Sequence, residues 1–223
     1  MYKSMKNTGS IPVILLLCIL IISLLSACQS SSQTQTPPAV TPPTPPANPP
    51  EAQPPAPVVT TGTAIKWVAD GVISADEYQQ TRTFNGFTIN WSNDNNYIYI
   101  GMQAKTAGWV AVGFGAETFM KNADIIEGSV KDGNLTIADM FCAVEIGPHP
   151  PDTQSGGTDD ILASAGKFDN GYTVIEFKRK LDTGDKFDKP LSKGINKIIW
   201  AYANEPLLTL KHSSRGSGEI ELR

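Results

Sequence analysis

From Thr61 to Arg223 the chain is written in short runs rich in Ile, Val, Tyr, Phe, Trp and Thr. They are broken by Asp94-Asn-Asn96, Lys131-Asp-Gly-Asn134 and Asp169-Asn-Gly171. β-branched and aromatic residues between such turn formers signal strands, and no stretch keeps a helical apolar period over about 11 residues. Strands are expected at Ala64 to Val68, Phe87 to Trp91, Tyr97 to Ala104, Gly108 to Phe114, Ile125 to Lys131, Leu135 to Val144, Ile161 to Phe168, Tyr172 to Lys180 and Lys197 to Ala203.

Two details make the pairing antiparallel. Asn170-Gly171 sits between two β-rich runs, and both residues tolerate the positive φ that a type I′ hairpin turn needs. In Tyr97-Ile-Tyr-Ile-Gly-Met102, Ile98, Ile100 and Met102 share one face and Tyr97, Tyr99 and Gly101 the other. About nine such strands with no intervening helices predict an all-β fold, an antiparallel β-sandwich.

The rest of the chain is unlike this. Of 17 prolines, 11 fall between Pro37 and Pro57. Residues 28–60 therefore form a tether, since Pro-Pro pairs flanked by Ser and Thr build no core and favour extended polyproline II. Before it, Lys3 and Lys6 precede the apolar run Val13 to Ile22, too short to span a membrane comfortably, which makes residues 1–27 a secretory signal. Leu25-Ser26-Ala27-Cys28 resembles the bacterial lipobox, whose cysteine is lipidated. The expectation is an extracytoplasmic protein anchored through lipid at Cys28 to a bacterial membrane, at the cell surface or in the periplasm, with one domain over residues 61–223.

Charge and cysteine usage agree. Without Lys3, Lys6 and Glu51, 16 basic residues face 21 acidic ones with no cationic stripe, which excludes nucleic acid as a partner. Cys18 leaves with the signal and Cys28 takes the lipid, so Cys142 remains without a partner for an intramolecular disulfide.

Catalytic constellations are missing: no Gly-x-Ser-x-Gly, no phosphate loop, no His-Glu-x-x-His and no Cys-x-x-Cys-His for covalent haem. The domain is expected to bind or to transfer electrons and not to catalyse. Asp152, Asp159 and Asp160 in the loop from Pro151 offer oxygens to Ca²⁺, but their spacing matches no calcium loop, so they are expected to be solvated acids. Met120 and His212, each near a turn, offer a thioether and an imidazole, a known axial pair for haem iron. By residue type alone Met120 is a core filler and His212 a surface histidine.

Asp70-Gly-Val-Ile-Ser-Ala-Asp-Glu-Tyr78, Gly108-Trp-Val-Ala-Val-Gly-Phe114 leading to Met120 and Ala123-Asp124, and Trp200-Ala201 followed by His212-Ser-Ser-Arg-Gly216 together resemble a DOMON domain over nearly all of residues 65–223. The resemblance implies an immunoglobulin-like β-sandwich whose members bind haem b or sugars. In the haem-binding members a methionine after the Gly-Trp-Val-Ala strand and a histidine near the C-terminal end hold the iron, positions that fall here on Met120 and His212. Without Cys-x-x-Cys-His such a haem b would be non-covalent, with Trp109, Phe114, Phe119 and Met140 as candidates for its lining and ordinary core as their alternative. Arg215 could pair with a propionate through its planar fork, and His149 is the rival ligand.

A Met/His pair leaves no open coordination position, so such a site passes single electrons. The leading expectation is a membrane-tethered cytochrome-type domain, whose redox partner, protein or small acceptor, the sequence does not name. The alternatives are a carbohydrate-binding module stacking sugars on Trp67, Trp91, Trp109 or tyrosines, and a cofactor-free adhesion or spacer domain.

Overall fold

A computed structural model describes residues 65–223. The expected signal segment 1–27, the expected lipidation at Cys28 and the expected tether 28–60 lie outside the described residues. Ten strands form: β1 (Gln80–Thr83), β2 (Phe87–Asn93), β3 (Tyr97–Ala104), β4 (Val110–Phe114), β5 (Ala123–Lys131), β6 (Asn134–Cys142), β7 (Ala163–Asp169), β8 (Tyr172–Lys180), β9 (Gly194–Tyr202) and β10 (Ser214–Leu222). They make two antiparallel five-stranded sheets, ordered β1-β2-β3-β8-β7 and β10-β9-β4-β5-β6. The β-sandwich expected from the alternation is the fold that forms.

Period-2 alternation explains why. On β3, Ile98, Ile100 and Met102 are fully buried between the sheets while Tyr97 and Tyr99 face outward, and each buried side chain of this size contributes about 1.5–3 kcal/mol. Phe87 and Ile89 of β2, Val110, Val112 and Phe114 of β4, and Ile175 and Phe177 of β8 complete the inter-sheet core. The β7–β8 hairpin turns on Asn170 and Gly171 at φ 51° and 80°, as the Asn-Gly pair dictates.

Three elements differ from expectation. The described part of the expected strand Ala64 to Val68 forms no strand. The residues that follow it latch onto the outside of β8 instead, where Glu176 accepts hydrogen bonds from the backbone N–H of Asp70 and Gly71 (3.2 and 2.7 Å) and from the Tyr78 hydroxyl (2.6 Å). Trp67 donates to the Tyr78 oxygen at 2.8 Å. The strands that were not expected, β1 and β10, are both sheet edges. Gln-Thr-Arg-Thr and the first half of β10, Ser-Arg-Gly-Ser-Gly, are polar, as suits an edge that faces water, while Ile220 and Leu222 at the end of β10 are buried in the core.

One end of the sandwich is closed by charge. Arg179 points inward from β8 and is fully buried, with Nη1 2.7 Å from Asp124 Oδ2 on β5 of the other sheet and Nη2 donating to the Lys189 carbonyl at 2.8 Å.

Candidate functional site

The outer face of the second sheet is apolar, which a solvent-facing sheet surface ordinarily is not. Ala111 of β4, Ala123 and Ile125 of β5, and Met140 and Cys142 of β6 are buried there, packed with Trp109, Ala203, Met120, Ile199 and Ala201. The reason lies in β4. Its inward positions, Val110, Val112 and Phe114, are large, and its outward ones, Ala111 and Gly113, are small. A Cβ at Gly113 would stand 2.8 Å from Ile199 Cγ1 and 3.2 Å from Ile125 Cγ1, so glycine keeps the floor low.

Above this floor lies a cleft of about 740 Å³, within the range of small-ligand and cofactor sites. Two loops wall it, and the register puts them at opposite ends of β4. The β4–β5 loop leaves from Phe114, which pairs with Asp124, while the β9–β10 loop starts beyond Tyr202, which pairs with Val110. Four residue steps separate those ends, about 14 Å of strand.

Met120 comes from the first loop and His212 from the second, and both line the cleft. The Met120 loop is held by the Met120 N–H donating to the Glu145 carbonyl (3.3 Å), by Asn122 N–H to the Cys142 carbonyl (2.7 Å), and by Asn122 Nδ2 to Glu117 Oε1 (2.7 Å). Phe119 and Asn122 take left-handed φ of 52° and 59° to make the turn. On the other side Trp109, 3% exposed, donates its indole N–H to the Leu210 carbonyl at 3.1 Å and pins the loop that carries His212.

The imidazoles differ in state. Burial, then the charges of Arg215 and Lys211, lower the His212 pKa, which favours the neutral ring that a metal ligand needs. Among the described residues, no other residue hydrogen-bonds this ring. His149 also lines the cleft, but its Nε2 lies 3.2 Å from Glu127 Oε2 and its Nδ1 3.4 Å from the Gly147 carbonyl. The hydrogen bond to Glu127 raises the His149 pKa against the opposing effect of burial. Glu127 is 1% exposed, its pKa raised by burial, and its Oε1 has no hydrogen-bond partner.

Of the residues singled out from sequence, Met120, His212, Arg215, Trp109 and Phe119 meet in this cleft. Arg215 is exposed on β10 beside Ala201, and with Arg82 and Lys197 it puts cations on the β9–β10 side. Phe114 does not line it. It is an inward residue of β4, fully buried in the inter-sheet core with the Arg179 guanidinium 5.2 Å from its ring centre. Met140 belongs to the apolar outer face and packs near Met120 without lining the cleft. Sequence reasoning missed Glu127 and the floor residues, although the alternation of Val with Ala and Gly in Gly108 to Phe114 signals the floor.

A thioether and an imidazole on loops from opposite ends of β4 thus line one cleft, over a floor of Ala and Gly and beside three cations, and could hold a flat anionic macrocycle that needs two axial ligands. The family model described as "DOMON domain" matches residues 84–203. Among curated relatives, "MOXD1 homolog 1" of Drosophila melanogaster is 32% identical over 139 residues, covering 59% of this chain and 20% of that protein. "DBH-like monooxygenase protein 1" of Homo sapiens is 29% identical over 119 residues, covering 53% and 19%. The chain thus spans about a fifth of the length of these relatives. Among solved structures, the cytochrome b domain of pyranose dehydrogenase from Coprinopsis cinerea aligns at 17% identity with a TM-score of 0.47, over 60% of this chain and 76% of that one.

Proposed function

This chain belongs to the DOMON domain family, and on that premise we propose that it is a haem b-binding electron-transfer domain with Met120 and His212 as the axial ligands. The observation that carries the proposal is the placement of these two side chains in one cleft, on loops rising from opposite ends of β4. When bound there, haem supplies a one-electron couple whose potential thioether ligation raises. The chain's own part is to hold, orient and enclose. Ala111, Gly113 and Ala201 leave room for a flat ring, Trp109 and Phe119 flank it, and Arg215 can pair with a propionate through its planar fork. His149, held by Glu127, serves as a wall and not as a ligand.

We place the domain outside the cytoplasm on a lipid anchor at Cys28. Support comes from the charged start, the short apolar run and the Leu25-Ser-Ala-Cys28 motif. Sugar stacking finds less support, because Trp91 and Trp109 are 4% and 3% exposed.

Purified with haem available, the protein is expected to be red, with a Soret band and sharp α and β bands on reduction. Met120→Ala should weaken or shift the reduced bands, and His212→Ala should abolish them. A protein that takes up no haem sinks the proposal. Loss of the spectrum in His149→Ala with His212→Ala unaffected would reassign the ligand.

A further inference from the structure

We propose that Asp124, Asp139, Asp152 and Asp188 form a buried binding site for a calcium ion, independent of the cleft. They come from β5, β6, a short 3-10 turn at Asp152–Ser155 and the β8–β9 connection. Carboxylate oxygens of Asp124, Asp139 and Asp188 lie within 4.8 Å of one another. All four residues are at least nine-tenths buried, at 1, 3, 1 and 6% exposure. Asp152, expected from sequence to be solvated, is thus the reverse.

Charge does not balance there. Arg179 is the single fully buried cation among the described residues, and it is engaged with Asp124 Oδ2 at 2.7 Å and Asp188 Oδ1 at 3.8 Å. Asp124 Oδ2 also accepts from the Lys189 N–H at 2.8 Å, and Asp139 Oδ2 accepts from the Asp160 N–H at 2.9 Å. Asp124 Oδ1, Asp139 Oδ1 and both oxygens of Asp152 have no hydrogen-bond partner. A buried carboxylate without a donor costs several kcal/mol unless a cation meets it.

Asp152 is an observation separate from the three-residue cluster. An isolated β-bridge pairs Pro151 with Met140, which sets Asp152 beside the strand that carries Asp139, and after burial the neighbouring charges that raise its pKa most are those of Asp188 and Asp124. Burial first, then Asp188 and Asp124, likewise push Asp139 up to about 8. The missing component is therefore positive. Four carboxylates with no nitrogen or sulfur donor select a hard cation, and a largely protein-made oxygen cage suits Ca²⁺ better than Mg²⁺, which keeps its waters.

Calorimetric titration of CaCl₂ into the EDTA-treated full chain, with melting followed by circular dichroism, tests this without reference to haem. One calcium per chain is expected, with a rise in melting temperature of about 5 °C or more at about 1 mM Ca²⁺ and a smaller one with Mg²⁺. Asp139→Asn and Asp188→Asn should each weaken calcium binding at least tenfold. In EDTA both should melt at or above the parent, since each removes a buried negative charge. Should either variant fail to fold, plasma mass spectrometry of parent protein purified without chelator still decides, with about one calcium per chain expected. No heat and no shift, an equal response to Mg²⁺, variants that bind calcium like the parent, or calcium-free purified protein would each overturn the site.

Discussion

Single side chains set local geometry here by what they accept. Asp94, opening the β2–β3 turn, accepts hydrogen bonds from the backbone N–H of Asn96 and Tyr97 and from the Tyr99 hydroxyl, all at 2.8 Å. Burial pushes its pKa up, but these three donors outweigh it and hold the carboxyl below its usual 3.8. A depressed folded pKa contributes stability that is present above the unfolded value and is lost as pH falls through the folded one. Asp94→Ala should therefore cost about 1 kcal/mol at pH 7, and the gap to the parent should narrow in urea melts near pH 3. An equal gap at both values would mean that the carboxylate charge plays no part. The turn was legible as Asp94-Asn-Asn96, while the Tyr99 bond was not, because only pairing of β2 with β3 brings that hydroxyl back over the turn.

At the scale of elements, the clearest sequence signal was alternation, and it failed where alternation has no job. β1 and the first half of β10 bury no apolar side chain, so backbone pairing holds them, and only Ile220 and Leu222 at the end of β10 reach the core. The candidate site divides the same way. Met120, His212 and Trp109 were legible through short motifs, and the floor through Val-Ala-Val-Gly on β4, but Glu127 and His149 meet only because β5 and the segment after β6 converge. The four buried aspartates were illegible as a set, since they come from four separate segments. β4 offers the test at this scale. Gly113→Leu puts a side chain on the outer floor, between Ile199 and Ile125, and leaves the inward face of the strand unchanged. Haem uptake, read from Soret absorbance, should fall at least tenfold while far-UV circular dichroism keeps the parent's β signature. Unchanged uptake would place the ligand somewhere other than over β4.

For the described domain as a whole, what matters is how two sheets that share no backbone hydrogen-bond ladder unfold as one body. The apolar core joins them broadly, and Arg179 joins them at one end, donating from β8 of the first sheet to Asp124 on β5 of the second at 2.7 Å with both side chains wholly buried. A buried pair of this kind need not outperform an apolar one. Breaking it on one side is costly, since Asp124 and Asp188 then keep their charge with no counterion. Arg179→Leu in EDTA should lower the free energy of urea unfolding by about 3–5 kcal/mol. The loss should appear as an earlier midpoint of one cooperative transition, because neither sheet can bury its inner face alone. The double variant Arg179→Leu with Asp124→Leu should recover part of the loss, for it removes the stranded charge together with its partner. A single variant as stable as the parent would show that the sheets are joined by apolar contact alone. Two separate transitions would show that each sheet keeps its own stability, and that this ion pair couples two units and does not close one.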